Sequence, residues 1–147
     1  MEAKVKAVCL SEKKGTTKKV IEKGELIENY GLKGDAHAGK WHRQISLLDN
    51  SSIDKMRGQG YELNFGDFAE NITTEGLDNL FQLPVGQKIK INEKIILEIT
   101  QIGKKCHHDC EIMQTIGDCV MPREGVFARV ISGGEIKAGD KIEVLGE

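Results

Sequence analysis

The sequence Gln87-Lys-Ile-Lys-Ile91, Asn92-Glu-Lys94, Ile95-Ile-Leu-Glu-Ile-Thr100 contains two alternating stretches separated by a short polar turn. In the first stretch isoleucines alternate strictly with polar residues, and the second continues the pattern. Because successive side chains of a strand point to opposite faces, this period of two predicts two strands, each with one buried face. The rest of the chain can be interpreted outward from this strand pair.

Further strands are predicted on both sides of the pair. They cover Lys4–Leu10, Gln44–Leu48, Asn71–Thr74, Gly125–Ser132 and Lys141–Leu145. The short segments Val20-Ile21 and Leu26-Ile27 are ambiguous between strand and irregular structure, and Gly133-Gly134 is expected to interrupt a strand. A helix is predicted over Asn50–Arg57, ended by Gly58, and one or two helical turns over Glu111–Ile116.

About seven strands without long βαβ crossovers predict a mainly β fold, a barrel with one or two short helices. The 147 residues are expected to form a single domain, 1–147, large enough to bury a core. Seventeen glycines are consistent with the many turns that such a fold requires.

Charge and hydropathy exclude several classes of function. Twenty-one basic and 23 acidic residues give a net charge of −2, which provides no reason to expect binding to nucleic acid or anionic membranes. No stretch approaches the roughly 20 apolar residues that span a bilayer. The apolar stretch Val5–Leu10 is too short and, with Lys6 inside it, too charged for a signal peptide, so we expect a cytoplasmic protein.

The densest group of chemically reactive residues is Lys104-Lys-Cys-His-His-Asp-Cys110, followed by Cys119. Three interpretations remain open. Cys106 is a reactive thiol that carries sulfur or binds a soft metal, since neighbouring cations favour a thiolate. Alternatively, zinc is bound, or the cysteines are small buried hydrophobic residues. The zinc ligands would be Cys106, Cys110, Cys119 and either His107 or His108. Cys9, in the first strand, is expected in the core.

A second group lies in the loop 31–43. Backbone N–H groups at Gly31 and Gly34, with nearby cationic side chains, are suited to holding a phosphate. The side chains in question are Lys33, Lys40, His42 and Arg43. His37 fits a ligand, a general base or an exposed turn residue, and Trp41 either packs over a bound ring or shields the edge of the core.

Five segments in order resemble the MOSC domain family, named for the C-terminal domain of molybdenum cofactor sulfurase. The first, Gly31-Leu-Lys-Gly-Asp-Ala-His37, resembles the family's G-L-x-G-D-x-H loop, and Cys106 occupies the position of its characteristic cysteine. The resemblance spans essentially the whole chain, and Gln87 stands where the family usually has Asp. The other segments are Gly66-Asp-Phe-Ala-Glu-Asn-Ile-Thr-Thr-Glu-Gly-Leu77, Leu83-Pro-Val-Gly-Gln-Lys-Ile89 and the pair Met121–Val130 with Gly133–Asp140.

This resemblance implies a MOSC-like β-barrel of the short bacterial type that functions with molybdenum cofactor. Cys106 would ligate molybdenum or carry sulfur as a persulfide, since a thiolate suits both. Cys110 and Cys119 are additional to the family's minimal pattern and would resolve a persulfide or bind metal. The residues expected at the cofactor are Lys33, Gly34, Asp35, His37, Lys40 and Arg43 for its phosphate, with Asn71 and Thr73 for the pterin.

The expected function is therefore binding of molybdenum cofactor (molybdopterin), with handling of metal or sulfur at Cys106 in cofactor maturation or sulfur transfer. One alternative is a zinc-stabilised, non-catalytic module that docks onto a molybdopterin biosynthesis enzyme. The other is a molybdenum-dependent reductase of N-hydroxylated compounds, which would need a separate electron donor. Expected partners are the cofactor, its biosynthesis enzymes or a molybdoenzyme. Pyridoxal phosphate is not expected, because no aminotransferase-like domain is present.

Overall fold

Eleven strands and one α-helix make up the regular structure in residues 3–13, 16–60, 62–103 and 124–145, which the computed structural model describes. The helix, α1, spans Asn50–Arg57, and a single 3-10 turn spans Leu80–Gln82. The strands are β1 Ala3–Leu10, β2 Lys19–Ile21, β3 Lys23–Ile27, β4 Gly31–Leu32, β5 Ile45–Asp49, β6 Ile72–Glu75, β7 Lys88–Ile91, β8 Ile95–Ile102, β9 Val126–Ser132, β10 Gly134–Lys137 and β11 Lys141–Val144.

Seven strands close into a barrel in the order β11-β7-β8-β9-β5-β6-β1, because β1 also pairs with β11. The closing register places Ala3 opposite Ile142 and Lys4 opposite Lys141. Every neighbouring pair is antiparallel except β5 and β6, and α1 lies in the connection between those two parallel strands. The mainly β barrel predicted from the sequence is confirmed.

Strands β7 and β8 confirm the prediction from alternation. Ile89 and Ile91 of β7, like Ile95, Leu97 and Ile99 of β8, are fully buried inside the barrel. Their neighbours along each strand are more exposed, and β7 and β8 pair antiparallel across the Asn92–Lys94 turn. The main core consists of such inward-facing aliphatic side chains from all seven strands.

A smaller sheet, β10-β3-β4, was only partly foreseen. Leu26 and Ile27, ambiguous in the sequence, lie in β3, and the loop predicted from Gly31 begins with the two-residue strand β4. Gly133-Gly134 does end β9, but an additional strand, β10, which the sequence did not predict, starts at Gly134. A side chain at Gly133 would overlap the Leu26 carbonyl oxygen, so this glycine permits a close approach rather than only a turn.

The helix α1 has the predicted bounds and covers a second, smaller core. Its N-cap is Asp49, whose side chain accepts a hydrogen bond from Ser51 N, and Gly58 is the C-cap. Ile53 and Met56 face inward and pack with Phe68 and Phe127. No helix in the described ranges is long and apolar enough to cross a membrane. The second helical segment predicted, 111–116, lies outside the described residues.

Candidate functional site

A fully buried ion pair joins the basic loop to the strand system. Lys18 Nζ lies 2.8 Å from Asp35 Oδ1, and neither side chain is exposed to solvent. Burial raises the pKa of Asp35, but the interactions of its carboxylate with the His37 side chain and with Lys18 outweigh it and hold this pKa well below its usual range. Burial lowers the pKa of Lys18, whereas the hydrogen bond to Asp35 and its negative charge raise this pKa and offset part of the effect. Asp35 is therefore an ionised structural acceptor.

His37 is bonded to the same pair. Its backbone N–H donates to Asp35 Oδ2 at 3.0 Å, and its ring Nδ1 lies 3.1 Å from Lys18 Nζ. Its carbonyl oxygen accepts a hydrogen bond of 2.7 Å from Trp41 Nε1. One fifth of the side chain is exposed. The imidazole is thus fixed on its inner edge and accessible elsewhere.

Ser11, the residue that follows β1, holds the loop 31–43 in place. Ser11 N donates to Asp35 Oδ1 at 3.0 Å, and Ala36 N donates to the Ser11 carbonyl at 2.8 Å. Gly34 directly precedes the residues that make these contacts, and its φ of +89° lies in the left-handed region that favours glycine. Gly34 itself is exposed, so its backbone is available to a ligand.

The segment 66–71 supports the ion pair through the backbone of Lys18. Lys18 N donates to the Gly66 carbonyl at 2.8 Å, and Gly66 N donates to Glu70 Oε2 at 3.0 Å. Burial raises the pKa of Glu70, whose second oxygen, Oε1, has no hydrogen-bond partner in the described ranges. Burial, with the nearby Glu70 charge, also raises the pKa of Cys9. Cys9 is a buried thiol, as predicted, and the thiolate form is disfavoured.

Asn71 and Thr73 are part of this framework. Asn71 Oδ1 accepts from Ser46 N at 2.9 Å, and Asn71 Nδ2 donates to the Cys9 carbonyl at 3.1 Å, so the side chain bridges β5 and β1. Thr73 Oγ1 donates to Glu70 Oε2 at 2.8 Å. Both residues are fully buried and bonded to protein atoms. Their predicted contact with a pterin stays a prediction.

The cationic side chains of the loop are at the surface. Lys33 and Lys40 are exposed, and neither has an ion pair within the described ranges. Arg43 donates through Nε to Gln101 Oε1 at 3.0 Å, while its guanidinium lies 5.2 Å from the ring centre of Phe127. We call the surface formed by Lys33, Gly34, His37, Lys40 and Arg43 the basic rim.

Gln101 fastens the basic rim to the end of β8. Its Oε1 accepts a second hydrogen bond, from His42 Nε2 at 2.9 Å, and its Nε2 donates to the Gly103 carbonyl at 2.7 Å. Thr100 Oγ1 donates to the His42 carbonyl as well. Gly103 N in turn donates to the Gly125 carbonyl at 2.7 Å, which brings the ends of β8 and β9 together beside the rim.

The cysteine segment lies outside the described residues. This applies to Cys106, Cys110, Cys119 and His107, so the predicted thiol, molybdenum and zinc roles of these residues stay predictions. Among the described ranges, no group of three or more His, Cys, Asp or Glu side chains is arranged to hold a metal ion.

Sequence reasoning missed Lys18 and Gln101, two of the residues that organise the site. Lys18 belongs to a polar, lysine-rich stretch that is typical of a solvated loop, and nothing local marks it as buried. Gln101 ends an alternating strand with no motif around it. The partners of both residues are distant in sequence, so only the assembled fold reveals them.

These features define a small β-barrel domain with a basic loop fastened to the residue that follows β1 and to the last residues of β8. A family model described as MOSC domain matches residues 34–143, well over half of the chain. The chain therefore belongs to the MOSC domain family, which confirms the resemblance identified from the sequence. No curated protein matches the sequence.

Solved structures share this fold. YuaD from Bacillus subtilis is similar with a TM-score of 0.81 and 18% identity, over 97% of this chain and 94% of that one. YiiM from Geobacillus stearothermophilus has a TM-score of 0.74 and 14% identity, covering 98% of this chain and 75% of its own. YiiM from Escherichia coli has a TM-score of 0.66 and 17% identity, with coverages of 98% and 70%.

Proposed function

We propose that this protein binds molybdenum cofactor, or its molybdopterin precursor, at the basic rim and handles molybdenum or sulfur at Cys106. The process served would be cofactor maturation or sulfur transfer. Membership of the MOSC domain family, a family linked to molybdenum cofactor enzymes, supports the class of ligand. The partner that supplies or receives the cofactor would be a molybdopterin biosynthesis enzyme or a molybdoenzyme.

The observation that carries the proposal is the unbalanced charge of the rim. Residues 31–43 contain three cations, Lys33, Lys40 and Arg43, and one acid, Asp35. Because Asp35 is buried against Lys18, its charge is already neutralised and does not offset the cations of the rim. A surface with this excess of positive charge suits an anionic phosphate group.

The donors of the rim also match the chemistry of a phosphate. Arg43 is held by Nε, and its two Nη groups have no partner in the described part of the chain, which leaves a planar fork for two phosphate oxygens. The exposed backbone at Gly34 allows close approach by a ligand. Asp35 holds the loop backbone from within the protein by accepting the His37 backbone N–H.

The proposal for Cys106 rests on the family motif and on its place in the sequence. Cys106 follows Gly103 by three positions, and Gly103 is bonded to Gln101, the residue that fastens His42 and Arg43. When bound, the cofactor supplies a metal centre with affinity for a thiolate. The chain's own contribution would be a soft sulfur ligand next to a phosphate-binding rim.

Cofactor analysis of anaerobically purified protein tests the binding. Molybdenum is measured by mass spectrometry and the pterin by fluorescence after oxidation, before and after incubation with cofactor. Replacing Lys33 and Lys40 together by Gln is expected to lower affinity by about tenfold or more. The matched control replaces Lys88 and Lys94, exposed lysines outside the rim, and should retain affinity. Absence of both molybdenum and pterin in the loaded wild type contradicts the proposal.

Three separate Cys→Ser proteins test the role of Cys106. Cys106→Ser is expected to keep the melting temperature and lose bound molybdenum or persulfide, because serine removes the soft donor at similar size. Cys110→Ser and Cys119→Ser are expected to retain that binding. Equal destabilisation by all three, together with stoichiometric zinc in the wild type, contradicts the proposal and supports the zinc-stabilised module instead.

A further inference from the structure

We propose that Lys18 is a positioning residue that holds His37 in its neutral Nε2–H form, so that His37 presents a directed hydrogen bond to an oxyanion at the basic rim. This inference rests on the proposed function for the identity of the natural ligand. The arrangement of His37 itself depends only on the contacts of Lys18. The ligand chemistry that it predicts is a phosphate-like oxygen.

The donors and acceptors around Lys18 determine where the imidazole proton lies. An ammonium group has three N–H donors and no acceptor. Three acceptors surround Lys18 Nζ: Asp35 Oδ1 at 2.8 Å, Ser11 Oγ at 3.0 Å and His37 Nδ1 at 3.1 Å. Because the third contact needs an acceptor, Nδ1 carries no proton. The single proton of the neutral ring is therefore on Nε2.

Asp35 does not orient the ring in the way that a carboxylate commonly does. Its Oδ2 lies 3.7 Å from His37 Nδ1, beyond hydrogen-bond distance, and already accepts the His37 backbone N–H at 3.0 Å. The carboxylate therefore fixes Lys18 and the loop backbone, and Lys18 fixes the ring. In this chain of contacts Asp35 fixes Lys18, and Lys18 donates to Nδ1 of His37. The imidazole therefore keeps its single proton on Nε2, which is the donor.

His37 gives the basic rim a kind of hydrogen-bond donor that differs from its lysines. Lys33 and Lys40 contribute charge at the ends of flexible side chains, whereas His37 is anchored by its backbone, its carbonyl and Nδ1. Its Nε2 has no partner in the described part of the chain, and the side chain is 20% exposed. A neutral imidazole held in one tautomer acts as a directed hydrogen-bond donor to a developing or resident oxyanion.

Nitrogen-15 NMR of the histidine side chains tests the tautomer in the cofactor-free full chain near neutral pH. The signals of His37 are assigned by their loss in His37→Gln. We expect a pure pyridine-type Nδ1 and a pure pyrrole-type Nε2–H. Titration with inorganic phosphate is expected to shift the Nε2–H signal. Averaged signals, an Nδ1–H form, or an Nε2–H signal that phosphate leaves unchanged each overturn the inference.

Variants separate positioning from charge. Lys18→Met removes the donor to Nδ1 and should give averaged ring signals and at least threefold weaker phosphate binding. Ser11→Ala removes a different partner of Lys18, so it should keep the single tautomer even where Lys18→Met fails to fold. Lys40→Gln should weaken phosphate binding and leave the tautomer intact. A fixed, phosphate-sensitive His37 in a protein that binds no cofactor counts against the proposed function alone.

Discussion

Two buried acids, Asp35 and Glu70, both act on the charge of Lys18 and have opposite electrostatic surroundings. Asp35 accepts hydrogen bonds from Lys18, Ser11 and His37, so the charged form is stabilised. Glu70 has one oxygen bonded by Gly66 and Thr73 and the other without a partner in the described ranges, so burial favours the neutral form. The same isosteric change, acid to amide, should therefore have opposite effects at the two positions.

Asp35→Asn is expected to destabilise the protein by about 3–5 kcal/mol at neutral pH, because it leaves the Lys18 ammonium buried without its counter-charge. Urea unfolding at equilibrium measures this loss. Loss of less than about 1 kcal/mol would contradict the assignment of Lys18 and Asp35 as an ion pair.

The ion pair of Lys18 and Asp35 should also be visible in how the free energy of unfolding changes with pH in the acid range. The pKa of Asp35 is depressed in the folded state, so its stabilisation is present above the unfolded value, 3.8, and is lost as the pH falls below it. The free energy of unfolding of the wild type should therefore fall between about pH 4 and pH 2, and that of Asp35→Asn should fall less steeply. Urea midpoints at several pH values in this range give the comparison. Parallel curves would argue against the ion pair.

Glu70→Gln is expected to raise the melting temperature at about pH 8 and to raise it less at about pH 5. The pKa of Glu70 is raised in the folded state, so its contribution to stability is present below the unfolded value and is lost as the pH rises through the folded value. The amide removes that loss because it carries no charge. A gain that does not depend on pH would show that packing, rather than charge, causes it.

Gly66→Ala should be far more damaging than Gly60→Ala. Both glycines have φ near +90 to +100°, at +89° and +101°, so alanine strains the backbone at either position, by about 1–2 kcal/mol. At Gly66 the added Cβ would also overlap the Lys18 carbonyl oxygen, whereas at Gly60 no atom of the described residues lies within 4 Å. Urea unfolding of the two variants isolates this overlap. Equal losses would mean that the 66–71 segment does not hold Lys18 in place.

The residues of the basic rim were predictable from the sequence, and their supports were not. The glycines and cations of the loop lie close together in the chain, so the local pattern is visible. Lys18 acquires its role from Asp35, seventeen positions away, and from Gly66, which lies still further along. A lysine becomes a buried structural group only when such distant partners converge, and one sequence contains no local sign of that.

At the scale of elements, α1 depends on a single cap shared with the barrel. Asp49 Oδ2 accepts from Ser51 N at 3.1 Å, while its Oδ1 accepts from Thr74 Oγ1 at 2.6 Å and from Leu77 N at 3.0 Å. One buried carboxylate thus ends β5, starts the helix and fixes the parallel partner β6. This explains how a parallel pair is held within an otherwise antiparallel barrel.

Asp49→Ala is expected to cost about 3 kcal/mol, since it removes the cap and leaves buried donors without an acceptor. Asp54→Ala on the same helix is the control. Asp54 forms a surface ion pair of 2.9 Å with Arg57, and its loss should cost less than about 0.5 kcal/mol. Thermal unfolding followed by circular dichroism compares them. If both variants lost only a small and similar stability, the hydrogen bonds of Asp49 to Thr74 and Leu77 would not contribute to holding β6.

Predictability also differed among the elements. Strands β7 and β8 were evident because a half-buried strand in a barrel imposes strict alternation. The strands β4 and β10 were missed because they are short, rich in glycine and formed by pairing with β3 rather than by their own pattern. Propensity identifies strands that bury a face, whereas pairing partners determine the others.

At the scale of the whole molecule, closure removes the free edges of the main sheet apart from β2. The seam between β1 and β11 is reinforced by Val5 N, which donates to the Asp140 carbonyl at 2.8 Å. Among the strands of the described ranges, β2 pairs only with β1, at the end of the strand order, and Val20 in it is 55% exposed. The seam should therefore be as stable as the barrel interior, and β2 should not.

Hydrogen exchange tests this expectation. Bonded amides of the seam should exchange with the free energy of global unfolding, like those of β5 and β9, because opening the seam disrupts the whole barrel. Amides of β2 should exchange at a lower free energy. Seam amides that exchange as easily as those of β2 would indicate a barrel that opens along that line.

The pairing of Ala3 with Ile142 also has a consequence during protein synthesis. The strand β1 cannot complete its sheet until β11 has been made, so the nascent chain exposes unpaired strand edges throughout the synthesis of the residues between them. Closing so long a loop is slow and leaves time for association with other chains. We therefore expect the barrel to close only once β11 has left the ribosome, and a yield that depends on chaperones and on the concentration of newly made chains.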